Sequence, residues 1–193
     1  MIREAAGVQS FIEDKGWGFC FIGGLAVLRW GEPRFTADMD LTLLTGFGGE
    51  APYVDSLLER FKARLPGMRK FALENRVLLL SSDGGIAIDI ALGGLPFEEA
   101  AVADGSSFEF SDGLFLRTCS AEDLVVMKSF ADRDRDWEDV RGVLIRQQAG
   151  LNWDLIWEQL QPLCAAKENP GILDKLRILA GELAEAQIRN GET

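Results

Sequence analysis

The sequence contains no histidine among its 193 residues. This absence excludes Ser-His and Cys-His nucleophile pairs, and it excludes metal sites with imidazole ligands. A general base in this chain must therefore be a carboxylate or, less often, a lysine, tyrosine or cysteine. The only cysteines are Cys20, Cys119 and Cys164, which lack the spacing of a metal site. We expect them to be reduced, buried thiols.

Long apolar runs are also missing. No segment approaches the roughly 18–20 apolar residues of a membrane helix, and the first residues lack the apolar core of a signal peptide. We therefore expect a cytoplasmic protein with no membrane partner. The net charge of −11 argues against binding nucleic acid by bulk electrostatic attraction, although a local basic patch can still act. An apolar share of 47% is ordinary for a globular chain with a real core.

The hydrophobic pattern predicts short strands and helices in alternation. Helical periodicity covers residues 2–14, 25–30 and 53–65, and strand patterns cover residues 18–22, 38–44, 76–82, 86–92, 107–110 and 114–118. Asp83-Gly84-Gly85 between two strong strands indicates a hairpin. From Ser120, which begins a capping-box-like segment, the pattern is helical as far as residue 188. We predict an α/β (α+β) fold with a mixed sheet over residues 1–118 and a helical C-terminal lobe over residues 119–193.

Two strands carry carboxylates where a buried strand would not need them. Asp38 and Asp40 share one face of their strand, about 6–7 Å apart, while Met39, Leu41 and Leu43 take the other face. Asp89 lies in the middle of a second strand, IAIDIAL, and is flanked on its own face by two alanines. A carboxylate in that position is either at an open cleft or expensively buried.

Converging aspartates without histidine or thiolate suit a hard cation with oxygen ligands, most naturally Mg²⁺. Two such ions about 3.5–4 Å apart can activate a hydroxyl and stabilise a leaving phosphate. Gly23 and Gly24, at the end of one strand and the start of a helix, can offer backbone N–H groups to phosphate oxygens. The alternative is that the aspartates lie on the solvated face of a half-exposed strand and that the glycines form a simple turn.

The string GG-x13-D-x-D, followed by the later IDI strand, resembles the nucleotidyltransferase fold shared with polymerase beta. More narrowly, the segments GGLAVLRWGEPRFTADMDLTL and SAEDLVVMKSFADRDRDWEDV resemble the AbiEii-type and MenT-type toxin nucleotidyltransferases and their uncharacterised relatives. The resemblance covers most of the chain to about residue 143. It implies a Mg²⁺-dependent enzyme that moves NMP from an NTP to a hydroxyl acceptor, such as tRNA or a protein, and a toxin with an antitoxin partner.

The resemblance also implies roles for individual residues. Asp38, Asp40 and Asp89 would bind Mg²⁺, with Asp89 acting as base toward the acceptor hydroxyl. Gly23 and Gly24 would line the triphosphate. Lys128 would contact phosphate, and Asp136 would support the nucleotide side.

The chain departs from the family at Leu25, where many members carry Ser or Thr to help hold a phosphate. This departure and the acidity of the chain motivate a second hypothesis, a degenerate nucleotide-binding or regulatory protein without catalysis. Aminoglycoside-like small molecules are also acceptors on this fold, and fold analogy cannot choose among acceptors. A purely structural domain with solvated aspartates is a third hypothesis.

Three sets of charged residues allow a structural interpretation as well as a functional one. Lys128 falls inside the apolar arc of its helix, where it could snorkel toward solvent or pair with Asp132 at i,i+4. The charged residues from 132 to 141 are typical of a solvated, salt-bridged surface. Residues 60–76 carry six cations and one acid, and could meet RNA phosphates or form a solvated face and loop.

Overall fold

The structure is a computed structural model that describes the backbone of residues 1–191 and the side chains of residues 1–186. Its strands are β1 (Phe19–Phe21), β2 (Asp38–Leu44), β3 (Lys62–Ala63), β4 (Val77–Ser81), β5 (Ala87–Gly93), β6 (Ser106–Ser111) and β7 (Leu114–Thr118). Its helices are α1 (Ile2–Asp14), α2 (Gly23–Trp30), α3 (Ala51–Arg60), α4 (Met68–Asn75), α5 (Pro96–Asp104), α6 (Ala121–Ala131), α7 (Asp134–Gln147), α8 (Trp153–Ala166) and α9 (Gly171–Gly191).

The described residues divide into two compact units. The first unit contains Met1–Arg29 and Arg34–Ser120. The second unit contains Trp30–Pro33 and the described residues from Ala121 onward. The second unit is helical, and its helix α6 packs against both α7 and α8. Among the described residues, no helix combines the length and apolarity that crossing a membrane requires.

The strands form one mixed sheet in the first unit, in the order β3-β4-β5-β2-β1-β7-β6. Strand β2 is parallel to β5, and β1 is parallel to β7, whereas the remaining neighbours are antiparallel. This arrangement confirms the predicted mixed α/β architecture followed by a helical C-terminal part. The predicted hairpin between β4 and β5 is also present, since Gly85 adopts a φ of +79° and the Ser82 N–H donates to the Ile86 carbonyl at 2.9 Å.

Alternation along β2 and β5 separates an apolar face of the sheet from a polar one. The apolar face carries the buried side chains of Met39, Leu41, Leu43, Ile88, Ile90 and Leu92. Side chains from α1, α3 and α4 complete this core. Full burial of each such side chain stabilises the fold by about 1.5–3 kcal/mol. A register shift of one residue would exchange the two faces, so the core fixes which residues occupy the polar face.

The segment from residue 51 to residue 76 differs from the prediction. The helix predicted over 53–65 ends at Arg60, because Phe61 turns extended and buries its ring while Lys62 and Ala63 pair with β4 as an edge strand. The prediction was wrong there because strand pairing outweighed local helical periodicity. The chain then forms α4, a separate helix that was not predicted, since this segment was expected only as a solvated face and loop.

Helix α5 was missed altogether. It begins with Pro96 in the first turn, and the Glu98 carboxylate accepts hydrogen bonds from the N–H groups of Gly94 and Leu95 at 2.8 and 2.9 Å. Proline in the first helical turn and glutamate at the third position are typical of a helix start. The helix buries only Ala101 and Val102 along its length, so it lacks the apolar stripe by which helices are usually recognised.

Candidate active site

The register of the sheet brings the three predicted carboxylates onto one face of adjacent strands. Asp40 on β2 is the direct partner of Asp89 on the parallel strand β5. Asp38 precedes Asp40 by two residues, and side chains alternate along a strand, so it lies on the same face. Neighbouring strands run about 4.8 Å apart, so Asp40 and Asp89 are close neighbours across the sheet.

A cation from the edge of the sheet lies in the same row of residues. The backbone N–H of Arg64, just after β3, donates to the Leu79 carbonyl on β4 at 3.1 Å, and Leu79 is in turn the register partner of Asp89. The Arg64 guanidinium reaches over β4 and donates to the Asp89 carboxylate. Both side chains are about one-third exposed or less, at 29% for Arg64 and 35% for Asp89.

Burial and neighbouring charge set the basicity of Asp89. Desolvation raises the pKa of the Asp89 carboxyl most, the Arg64 charge lowers it, and the nearby Asp38 carboxylate raises it again, so that the pKa lies above its ordinary value. Asp38 and Asp89 therefore feel each other's negative charge. An additional cation between them would relieve this repulsion.

The glycine pair packs directly against the acidic strand. Gly23 has a φ of +54°, and a Cβ added there would lie 2.8 Å from the Asp40 Cβ. A Cβ on Gly24 would lie 2.7 Å from the Cβ of Thr36, whose hydroxyl is 3.1 Å from the Asp38 Oδ1 atom. These close approaches explain why both positions are glycine. They also place the glycine turn, formed by Gly23 and Gly24 at the start of α2, beside Asp38 and Asp40.

Asp38, Asp40 and Asp89 are carboxylates on one face of two adjacent strands. Both their chemistry and the positions of their backbone atoms therefore suit a hard divalent cation. The side chains are not gathered around a common point, however. Among the described residues, no group of three or more acidic, histidine or cysteine side chains forms a ready metal cage. The Asp89 carboxylate faces Arg64 instead. Leu25 is fully buried in the core, so it contributes no polar group to the glycine turn.

Lys128 and Asp136 lie in the second unit, where they bind each other. The Lys128 ammonium is 2.8 Å from Asp136 Oδ1 and 2.8 Å from Asp139 Oδ2. All three side chains are nearly inaccessible, whereas Arg133, which donates to Asp136 at 2.5 Å, is 75% exposed. Lys128 therefore neither extends into solvent nor pairs with Asp132. The charge pattern predicted that Asp136 and Asp139 belong to a solvated surface, and that prediction was wrong.

Asp132 has other partners. It accepts hydrogen bonds from the Trp137 indole at 2.8 Å and from Lys175 at 2.7 Å.

Burial works to raise the pKa of Asp136, but hydrogen bonds from Arg133 and Lys128 outweigh it and hold the pKa below its ordinary value. A lowered native pKa stabilises the fold above the pKa of the unfolded chain. This stabilisation is lost as the pH falls through the lowered value.

The basic segment from residue 60 to residue 76 is largely paired with acids inside the first unit. The pairs are Arg60 with Asp83, Arg64 with Asp89, Arg69 with Asp55, Lys70 with Glu74, and Arg76 with Glu50. Most of these pairs are exposed, and exposed pairs contribute little stability. Their main consequence is that the cations of this segment are already neutralised in part.

Comparison with known proteins identifies the fold. The chain is similar in structure to an antigenic nucleotidyltransferase-like protein from Paracoccidioides brasiliensis, with a TM-score of 0.54, 15% identity, and 91% of each chain covered. It is also similar to the antibiotic-resistance factor ANT(2'')-Ia, with a TM-score of 0.53, 13% identity, and coverage of 86% of this chain and 92% of that one. Neither a protein-family profile nor a curated protein sequence matches the chain. The protein therefore has a nucleotidyltransferase-like fold.

Two residues of the site could not be assigned to it from the sequence. The contact of Thr36 with Asp38 and its packing on Gly24 depend on how the loop before β2 folds. Arg64 was counted only among the cations of the segment from residue 60 to residue 76, and a helix was expected over that residue. The position of Arg64 would have followed only from knowing that the chain is extended after Phe61 and that Arg64 pairs with β4.

Replacing Gly24 with alanine tests the close packing of the glycine turn. We expect Gly24→Ala to lower the free energy of unfolding by about 1–3 kcal/mol, because the added methyl group collides with Thr36. Gly7→Ala in α1 is the matched control, since a Cβ there meets nothing within 4 Å and alanine favours a helix. Urea denaturation measures both variants. Equal stability of the two would contradict the packing described here.

Replacing Lys128 with methionine tests the buried charge cluster. We expect Lys128→Met to destabilise the protein by about 3–5 kcal/mol, because it removes the ammonium that both buried carboxylates contact. Arg133→Met should cost about 1 kcal/mol or less, since that side chain is mostly exposed. Thermal and urea denaturation report both values. A Lys128→Met protein as stable as the wild type would show that the cluster is not held by this ammonium.

Proposed function

We propose that the protein is a Mg²⁺-dependent nucleotidyltransferase that moves NMP from an NTP to a hydroxyl acceptor and releases pyrophosphate. The observation that carries this proposal is the pairing of Asp40 with Asp89 in register, with Asp38 on the same face and the glycine turn beside them. The nucleotidyltransferase-like fold supports it. The narrower resemblance to AbiEii-type and MenT-type toxins remains part of the proposal.

In this proposal Asp38 and Asp40 hold Mg²⁺, and Asp89 completes the set. Bound Mg²⁺ supplies positive charge to the phosphates of the nucleotide and to the attacking oxygen. The Thr36 hydroxyl orients the Asp38 carboxylate, and the backbone of Gly23 and Gly24 lets phosphate oxygens approach closely. These residues bind and orient the nucleotide before any bond changes.

Asp89 is the proposed base. The acceptor hydroxyl gives its proton to the Asp89 carboxylate, and the acceptor oxygen forms a bond to the α-phosphorus. The bond from the α-phosphorus to its bridging oxygen then breaks, and pyrophosphate leaves with that electron pair. Burial raises the pKa of Asp89, which makes its carboxylate a better proton acceptor than an exposed aspartate.

The proposal keeps the predicted roles of Lys128 and Asp136. Lys128 would contact phosphate, and Asp136 would support the nucleotide. Because the Lys128 ammonium binds two carboxylates, loss of activity on its replacement would also follow from loss of the fold. Activity measurements at this position therefore need the stability measurement beside them.

The acceptor is a hydroxyl on tRNA, on a protein side chain or on a small molecule. Two observations favour a small cationic acceptor of the aminoglycoside kind: the net charge of −11, which repels RNA, and the pairing of the basic segment with acids. A tRNA acceptor, together with an antitoxin partner, is the proposal that follows from the toxin resemblance. Incubation with an α-phosphate-labelled NTP and either tRNA or an aminoglycoside separates the two by which product carries the label.

A degenerate binding protein is the second candidate function. The buried Leu25 favours it, because no side-chain hydroxyl at this position reaches a phosphate. It predicts nucleotide binding, or none, without transfer to any acceptor.

Titration calorimetry with the four NTPs tests the proposed site, with Mg²⁺ and with EDTA. We expect at least one NTP to bind only with Mg²⁺, and we expect Asp38→Asn/Asp40→Asn to weaken that binding at least tenfold, because the carboxylates hold the cation. Asp55→Asn/Asp83→Asn is the matched control, since it removes two carboxylates that pair with surface arginines. Binding that is equal in both double variants, or absent for all four NTPs, would contradict the proposal.

A further inference from the structure

We propose that Arg64 is a built-in counter-cation of Asp89, which competes with the divalent cation for this carboxylate and so makes cation binding depend on the nucleotide. The inference rests on the proposed function, because it concerns the same metal site. Its basis is the ion pair that joins the edge of the sheet to the third predicted metal ligand.

The sheet itself holds Arg64 in position. Its backbone N–H continues the β3–β4 pairing at Leu79, and Leu79 pairs with Asp89. Residues that face each other across neighbouring strands project to the same side, so the row Arg64, Leu79, Asp89 and Asp40 shares one face. The half-buried Leu79 is the only residue between the guanidinium's strand and the carboxylate's strand in this row. Arg64 can therefore reach Asp89 without any rearrangement of the backbone.

Arg64 differs from the other arginines of the basic segment in the partner it contacts. Arg60 and Arg69 bind Asp83 and Asp55, whose side chains are 74% and 47% exposed and lie outside the aspartate row. Arg64 alone among these three binds a member of the proposed metal site.

A guanidinium and a divalent cation both bind carboxylate oxygens, so they compete for the oxygen atom of Asp89 that Arg64 contacts. A cation arriving alone must displace Arg64, and the displaced guanidinium loses its carboxylate. A nucleotide arriving with the cation supplies phosphate oxygens, which are good partners for a displaced arginine. The affinity for cation alone is thereby lowered, while the affinity for cation together with nucleotide is kept. By linkage, removal of Arg64 raises the affinity for cation alone and reduces the coupling between cation and nucleotide.

The test is a titration with Mn²⁺ in the absence of nucleotide, in which electron paramagnetic resonance measures the concentration of free ion. We expect Arg64→Gln to bind Mn²⁺ about three- to tenfold more tightly than the wild type, because the competing charge is gone. Arg64→Lys should lie between the two, since lysine keeps the charge but not the planar fork of donors. Arg69→Gln is the matched control and should remain within twofold of the wild type, because its partner Asp55 lies outside the row.

The outcomes separate this inference from the proposed function. Mn²⁺ binding by the wild type that is unchanged or weakened in Arg64→Gln would overturn the role of Arg64 and leave the proposed metal site intact. Absence of Mn²⁺ binding without nucleotide in the wild type and in Arg64→Gln, up to millimolar ion, would overturn the role of Arg64, and absence with a saturating non-hydrolysable NTP as well would overturn both. Repeating the titration with a saturating non-hydrolysable NTP should show a smaller gain in Mn²⁺ affinity for Arg64→Gln than for the wild type. An equal gain would also overturn the inference.

Discussion

One row of side chains across the sheet, from Arg64 past Leu79 to Asp89 and Asp40, is the arrangement on which the candidate site depends. The apolar residues on the opposite face fix this register, because a shift of one residue would expose the core and bury the carboxylates. The same packing that stabilises the first unit therefore also determines which charges meet. Stability and the candidate chemistry are built from alternate residues of the same two strands.

The site carries costs that a purely structural sheet would avoid. Asp89 is partly buried near another carboxylate, and two glycines are required where Asp40 and Thr36 approach the start of α2. Glycine lowers stability through the entropy of the unfolded chain, and a desolvated carboxylate lowers it further. Such local conflicts are expected at functional sites. The buried cluster around Lys128 in the second unit is different, since its charges compensate one another.

The parts of the site that follow from local pattern could be predicted, and the parts that depend on strand order could not. Alternation in DMDLTLL and IAIDIAL places each aspartate opposite an apolar face, and the structure has both strands at nearly the predicted residues. The pairing of Arg64 with Asp89 required knowledge that β3 exists and lies two strands from β5. Likewise, the helical periodicity around Lys128 gave no information about α7, which supplies both of its carboxylate partners.

The most direct test of the central claim is the position of bound Mn²⁺ in crystals grown with a non-hydrolysable NTP, located by anomalous scattering. The account predicts an anomalous peak in direct contact with the Asp38 and Asp40 carboxylates, with the nucleotide phosphates beside the turn at Gly23 and Gly24. A nucleotide bound elsewhere, or an anomalous peak away from these aspartates, would contradict the claim that the row of carboxylates is a metal and nucleotide site.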